Sequence, residues 1–78
     1  MNKTQILKYL KEKDYIRNWW KLKDFVIFED EDIIKFDYID NELVPITKIK
    51  YDKKHNTIYV YAWNNYYNTN EIWETIQL

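Results

Sequence analysis

One stretch of the chain decides the fold: "PITKIKYDKKHNTIYVYAW" at residues 45–63. Apolar and lysine side chains alternate through its first half, and small apolar side chains alternate with aromatic ones through its second half. A period of two residues is typical of a β-strand with one buried face. The segment "DKKHN" between the halves reads as a turn, with Asn56 suited to a left-handed backbone. We predict an antiparallel hairpin whose inward set is Thr47, Ile49, Tyr51, Ile58, Val60 and Ala62.

A second hairpin is predicted upstream, in "DFVIFEDEDIIKFDYIDNE" at residues 24–42. Residues 25–29 are aromatic or β-branched apart from Glu29, which favours a strand. Residues 30–32 supply a turn, and residues 33–39 return as a strand with Ile34, Phe36 and Tyr38 facing the core. A further turn is expected at residues 40–42, where Asn41 can take a positive φ.

The N-terminal segment predicts a helix over residues 3–13, with Ile6, Tyr9 and Leu10 on one face and Asn2 or Thr4 as the cap. At 100° per residue, Ile16 and Trp20 fall on the same stripe. The helix is therefore expected to extend to about residue 22, with a bend or interruption near residues 13–14.

The tail "NTNEIWETIQL" fits two interpretations. As a short helix capped by Thr69 or Asn70, it places Ile72, Trp73 and Ile76 on one face. As a strand, it alternates Ile72 and Ile76 with Trp73. We favour the helix, and so predict one domain over residues 1–78 of the α+β class. It has an N-terminal helix packed on an antiparallel sheet of about four strands, with a short C-terminal helix or an extra strand.

The composition excludes several kinds of site. Glycine, serine and cysteine are absent, and His55 is the only histidine. Phosphate-binding glycine loops, serine or cysteine nucleophiles and multi-histidine metal centres therefore cannot be built. We expect no enzymatic activity and no cofactor. With no membrane-length apolar segment, no signal sequence and no cysteine, we expect a cytoplasmic protein.

Charge is segregated along the chain, although the net charge is only −1. Residues 1–23 carry seven basic side chains against two acidic ones, and residues 24–42 carry eight acidic side chains against one basic one. Residues 43–63 are again basic, with four lysines against one aspartate. This asymmetry bears on partners and association rates rather than on the fold.

The aromatic residues of the second half of the main hairpin are the first candidate site. Tyrosine and tryptophan beside lysines on an open sheet face are typical of a contact surface, because these rings have an apolar body and a polar tip. Alternatively, Trp19, Trp20 or a tail helix covers the rings and makes them a second core layer. The candidate partner-binding residues are Tyr59, Tyr61, Trp63, Tyr66, Tyr67, Lys48 and Lys50.

The acidic hairpin is the second candidate site. A row of carboxylates can imitate nucleic-acid phosphates and occupy the basic cleft of a nucleic-acid-binding host protein. In size and composition the chain resembles phage-encoded inhibitors of host defence, anti-CRISPR proteins among them, and this resemblance of class implies a small inhibitor or adaptor. The acidic candidates are Glu29, Asp30, Glu31, Asp32, Asp37, Asp40 and Glu42.

Two other partners stay open at this point. Lysines interleaved with stacking aromatic rings also suit single-stranded nucleic acid, although the net charge and the acidic hairpin oppose a long strand. A tyrosine-rich face can equally join two copies of the chain as a homodimer. A membrane partner is not expected.

Overall fold

The computed structural model describes residues 1–39 and 46–78, apart from the side chain of Thr47. It confirms the α+β class, with an N-terminal helix on an antiparallel sheet, and the sheet has five strands rather than about four. The elements are α1 (Lys3–Glu12), a short 3-10 helix (Leu22–Asp24), β1 (Phe25–Glu29), β2 (Ile33–Tyr38), β3 (Ile46–Asp52), β4 (Thr57–Asn64) and β5 (Thr69–Gln77).

The sheet is a meander in which each strand pairs antiparallel with the next, in the order β1-β2-β3-β4-β5. Its inner face lies against α1 and the loop that follows, and the buried cluster is formed between them. The predicted alternation is confirmed for Ile34 and Phe36 in β2, Ile49 and Tyr51 in β3, and Ile58 and Val60 in β4. A register shift between Ile46 and Lys48 interrupts it at the start of β3, where Ile46 is buried, and Ala62 is only partly buried. The buried core residues are Ile6, Leu7, Leu10, Ile16, Trp20, Phe25, Ile34, Phe36, Ile46, Ile49, Tyr51, Ile58, Val60 and Ile76.

The helix begins at a capping box. The backbone N–H of Gln5 donates to Asn2 Oδ1 at 2.9 Å, and the backbone N–H of Asn2 donates to Gln5 Oε1 at 2.9 Å. Two otherwise unpaired amide groups of the first turn are thus satisfied. Of the two predicted caps, the structure uses Asn2.

The helix predicted over residues 3–13 is confirmed to within one residue, and the predicted interruption near residues 13–14 is confirmed, because α1 ends at Glu12. The predicted continuation of the helix to about residue 22 is wrong. Asp14 takes a left-handed conformation with φ 60°. The amide of Tyr15 then donates to the carbonyl of Leu10, and that of Asp14 to the carbonyl of Lys11. This is a Schellman ending with aspartate in the position that glycine usually takes. Ile16 is nevertheless buried, as its place on the stripe predicted.

The tail is a strand. The favoured short helix is wrong, and the alternative of an extra strand is confirmed, because Thr69–Gln77 pairs with β4 over eight register positions. Asn68, with φ 53°, makes the turn into β5, and Asn56, with φ 49°, makes the predicted left-handed turn between β3 and β4. The turn predicted at Asn41 lies outside the described residues.

The register of β5 shifts once. Val60 pairs with Glu74, but the next residue, Tyr61, pairs with Ile72, so Trp73 is the extra residue of a β-bulge. Because of this extra residue, side chains an even number of positions apart across the bulge lie on opposite faces of the sheet. Ile76 is therefore buried on the inner face, whereas Ile72 lies on the outer face beside Tyr61.

Candidate functional site

The outer face of the sheet, the side opposite α1, carries most of the predicted aromatic site. Directly paired residues of neighbouring strands point to the same side, so the register gives its rows across all five strands. The first row is Val26, Asp37, Lys48, Tyr61 and Ile72, and the second is Phe28, Lys35, Lys50, Tyr59 and Thr75.

No second layer covers this face within residues 1–39 and 46–78. Val26 is 63% exposed, Phe28 50%, Ile72 53% and Trp63 41%. Tyr59 and Tyr61 are half-buried. The predicted alternative that Trp20 covers the rings is wrong, because Trp20 is buried in the inner core. The outer face is thus an open apolar and aromatic surface, a feature that marks interaction sites on small proteins.

Tyr66 and Tyr67 lie at one end of this surface, in the turn between β4 and β5. The side-chain oxygen of Asn64 accepts from the amides of Tyr66 at 2.9 Å and Tyr67 at 3.3 Å and so fixes the turn. The two rings meet edge to face, with centroids 4.8 Å apart. Tyr66 also lines a shallow depression together with Trp63 and Ile72. The tyrosine turn is therefore continuous with the outer face.

The predicted lysines lie on the same face as the rings. Lys48 is paired with Tyr61, and its ammonium lies 5.4 Å from the centroid of that ring. Lys50 is paired with Tyr59. On the neighbouring strand Lys35 lies over the Phe28 ring at 5.7 Å. These cation–π contacts hold charge against apolar surface in the middle of the face.

The structure divides the predicted acidic row. Glu29, Asp30, Glu31 and Asp32 meet at the turn between β1 and β2, whereas Asp37 lies on the outer face between Val26 and Lys48. Asp40 and Glu42 lie outside the described residues. The part of the row that the structure describes is therefore a four-residue turn and one separate carboxylate.

The acidic turn also has a basic partner. Lys53 Nζ lies 2.9 Å from Glu29 Oε2 and donates to the carbonyl of Asp30 at 2.6 Å. Asp30 is itself a turn residue, since its Oδ1 accepts from the amides of Asp32 at 2.8 Å and Ile33 at 2.9 Å. These backbone hydrogen bonds, with a smaller contribution from Lys53, hold the pKa of Asp30 below its ordinary value of 3.8.

We expect the Asp30→Ala variant to unfold at a lower urea concentration than the wild type at pH 7, because two amides lose their acceptor. A carboxyl whose pKa is lower in the folded state than in the unfolded state stabilises the fold at pH values above its unfolded pKa. This stabilisation is lost as the pH falls through the folded pKa. The difference in urea midpoint between the wild type and Asp30→Ala should therefore become smaller below about pH 4. Asp32→Ala is the matched control and should change little. An equal loss in both variants would contradict the role of Asp30.

His55 lies in the turn between β3 and β4. Its Nδ1 is 2.8 Å from Asp52 Oδ2, and this side-chain hydrogen bond, with the backbone one from His55, lowers the pKa of Asp52. The pair closes an exposed turn. Within the described ranges no three acidic, histidine or cysteine side chains are grouped to hold a metal ion.

A groove on the inner side was not predicted from the sequence. It has a volume of about 410 Å³, and the loop after α1 faces the bulge of β5 across it. Three of the four tryptophans and the only arginine contribute, and the guanidinium of Arg17 lies 5.7 Å from the Trp19 ring. The bulge brings Trp73 there, so sequence spacing carries no signal for it. The lining residues are Asp14, Tyr15, Ile16, Arg17, Asn18, Trp19, Trp20, Ile46 and Trp73.

Four residues of the outer face were also missed: Val26, Phe28, Lys35 and Ile72. The alternation of Val26 and Phe28 with Phe25 and Ile27 was a usable signal for the first two. For Ile72 the sequence carries no such signal, since the bulge decides which side of the sheet this side chain faces.

Comparisons with protein-family models, with curated proteins and with solved structures found no match to this chain. In the part that the structure describes, no helix is long and apolar enough to cross a membrane.

Proposed function

We propose that this protein is a non-enzymatic binding module of the cytoplasm whose protein partner docks on the outer face of the sheet. In that role it acts as a small inhibitor or adaptor, the kind of protein that phages and other mobile elements encode against host defence. The observation that carries the proposal is the open outer face, where apolar and aromatic side chains from β1, β4 and β5 lie uncovered by described residues.

The chemistry of the face supports a protein partner. Interfaces are enriched in tyrosine and tryptophan, and a few such anchors supply most of the binding energy. Tyr61 lies in the first row between Lys48 and Ile72. Trp63 and the tyrosine turn extend the surface beyond that row. We therefore assign Tyr61 as the main anchor.

Two alanine variants test the proposal. One removes the Tyr61 ring from the outer face, and the other removes the Trp19 ring from the inner groove. The binding protein is captured from cells that carry the gene, purified, and titrated by calorimetry against each variant. Tyr61→Ala should weaken binding by about 2 kcal/mol, roughly thirtyfold in Kd. Trp19→Ala, which removes a ring from the inner groove, should leave Kd unchanged.

Three outcomes would contradict this assignment. Weaker binding by Trp19→Ala, with unchanged binding by Tyr61→Ala, would move the site to the groove. Loss only on charge reversal at Glu31 and Asp32 would favour the acidic turn and a basic, nucleic-acid-binding partner. Light scattering that shows a dimer which Tyr61→Ala dissociates would assign the face to a second copy of the chain.

Single-stranded nucleic acid is the second candidate, favoured by the contact of Lys48 with the Tyr61 ring. Binding through phosphates weakens steeply with salt. An anisotropy titration with short single-stranded oligonucleotides at two salt concentrations measures it, and absence of binding at low salt would remove this candidate.

A further inference from the structure

Three lysines occupy the middle of the outer face, on β2 and β3. Lys35 and Lys50 are directly paired across the two strands, and Lys48 is two residues from Lys50 on the same strand. All three are half-buried. Like charges in direct opposition destabilise a sheet unless something compensates them.

In the described part of the chain no ion pair includes any of these three lysines. Its ion pairs join Lys8 to Glu12, Lys53 to Glu29 and His55 to Asp52. Asp37 is the register partner of Lys48, but these two side chains are not among the ion pairs of the described residues. Lys35 and Lys48 lie over aromatic rings instead. Among the described residues, the middle of the face therefore carries three lysines against one carboxylate, that of Asp37, and so an excess of positive charge.

Apolar side chains border this positive centre on both sides. Val26 and Phe28 lie on β1, at one edge of the sheet, and Ile72 lies on β5, at the other. Strands are spaced by about 4.8 Å, so the distance from β1 to β5 is about 19 Å, which roughly six residues of an extended chain can span. Apart from Asp37, the face thus carries lysines in its middle, with apolar side chains on both edge strands.

Resting on the proposed function, we propose that the partner presents an acidic peptide segment to this face, with carboxylates at Lys35, Lys48 and Lys50 and apolar side chains at both edges. The lysines then obtain charge-assisted hydrogen bonds in a half-buried setting, where such bonds are stronger than in water. Electrostatic complementarity of this kind selects the partner and speeds association.

A protein segment fits the face better than a nucleic acid does. A continuous row of phosphates crossing the first row would meet Asp37, and the turn that holds Glu29, Asp30 and Asp32 lies at the end of β1 and β2. A peptide with carboxylates only at its centre avoids both. Val26 and Ile72 are aliphatic and offer packing surface, but no ring on which a base can stack.

Three defined probes test the inference by NMR titration of the labelled protein. The acidic probe is an end-blocked octapeptide with two central glutamates between apolar and aromatic residues, and the neutral probe carries glutamines in their place. The third probe is an eight-nucleotide oligothymidylate. We expect the acidic probe to shift the resonances of Lys48, Lys50 and Tyr61 and to bind roughly tenfold tighter than the neutral probe at low salt.

The variant Lys50→Glu should abolish the preference for the acidic probe. It should fold at least as well as the wild type, because it replaces a like-charge pair with an opposite-charge pair beside Lys35. Lys54→Glu, a charge reversal in the exposed turn between β3 and β4, is the matched control and should keep the preference.

Each alternative result overturns the inference in a recognisable way. Equal affinity for acidic and neutral probes would leave an apolar docking face without charge selection. Tighter binding of the oligothymidylate at the same residues would assign the face to nucleic acid. No shift of outer-face resonances by the acidic probe at millimolar concentration would also overturn it. Failure of the proposed function is a separate result. In that case Tyr61→Ala would bind the full-length partner as tightly as the wild type does.

Discussion

The Trp20→Ala variant is expected to lose about 3–5 kcal/mol of unfolding free energy, whereas Trp19→Ala should lose less than about 0.5 kcal/mol. The two residues are adjacent, so they differ in packing rather than in position along the chain. Trp20 is 2% exposed and stacks on Tyr38 with ring centroids 4.4 Å apart. It also meets the edge of Phe25 at 5.8 Å. Trp19 is 67% exposed.

A domain of 78 residues has a stability of about 4–12 kcal/mol, so the loss at Trp20 takes away a large part of it. Because 1 kcal/mol shifts Tm by about 4–8 °C in a domain of this size, Trp20→Ala should melt at least 12 °C lower. Thermal unfolding followed by circular dichroism measures both variants. If the alanine variant does not fold, Trp20→Phe should fold with an intermediate Tm. Equal Tm values for Trp19→Ala and Trp20→Ala would contradict the burial of Trp20 and the exposure of Trp19.

The two central hairpins and their faces could be predicted from the sequence, because the side-chain period of a strand is fixed at two residues. The alternation of Ile58 and Val60 with Tyr59 and Tyr61 admits one arrangement under a helix. Residue chemistry also located local features. Asn2 caps the helix and Asn56 makes the turn, as their side chains and backbone tolerance predict.

An interruption near residues 13–14 could be predicted, but not that the helix ends there, since the usual stop signal is absent from this chain. Helices commonly stop at a left-handed glycine, and the sequence contains no glycine. Asp14 takes that conformation here, but aspartate is equally common inside turns and on helix surfaces. Ile16 and Trp20 continue the helical stripe and yet reach the core from an irregular loop. The burial of Ile16 and Trp20 was therefore predictable, although the secondary structure of the segment that carries them was not.

The candidate site was predictable in composition but not in extent. Tyr59, Tyr61, Lys48 and Lys50 share a face because they belong to one hairpin, whose register follows from its own alternation. Lys35 joins them through the pairing of β2 with β3, a tertiary contact that no local pattern encodes. The direct opposition of Lys35 and Lys50, on which the partner chemistry rests, becomes visible only with that pairing.

The faces of the tail strand could not be predicted from the sequence either. Ile72 and Ile76 are four residues apart, a spacing that places them on one side of a helix and also on one side of a regular strand. The bulge at Trp73 separates them, and its position depends on which residues of β4 pair with β5. A matched pair of substitutions therefore tests the bulge directly.

We expect Ile76→Ala to reduce the free energy of unfolding by about 2–3 kcal/mol and Ile72→Ala by less than about 1 kcal/mol. Both changes remove the same atoms from the same strand, so the difference reports how each side chain is buried and packed on its face of the sheet. Ile76 is 8% exposed in the inner core, whereas Ile72 is half exposed on the outer face. Urea unfolding at pH 7 measures both.

Similar losses in the two variants would contradict the bulge, because a helix or an unbroken strand places both side chains on the same side. The same pair also separates structure from binding. Ile72→Ala should retain the fold and yet weaken partner binding, since Ile72 borders Tyr61 on the outer face. Ile76→Ala, at a temperature where it is folded, should bind the partner as the wild type does, because its side chain lies on the opposite side of the sheet.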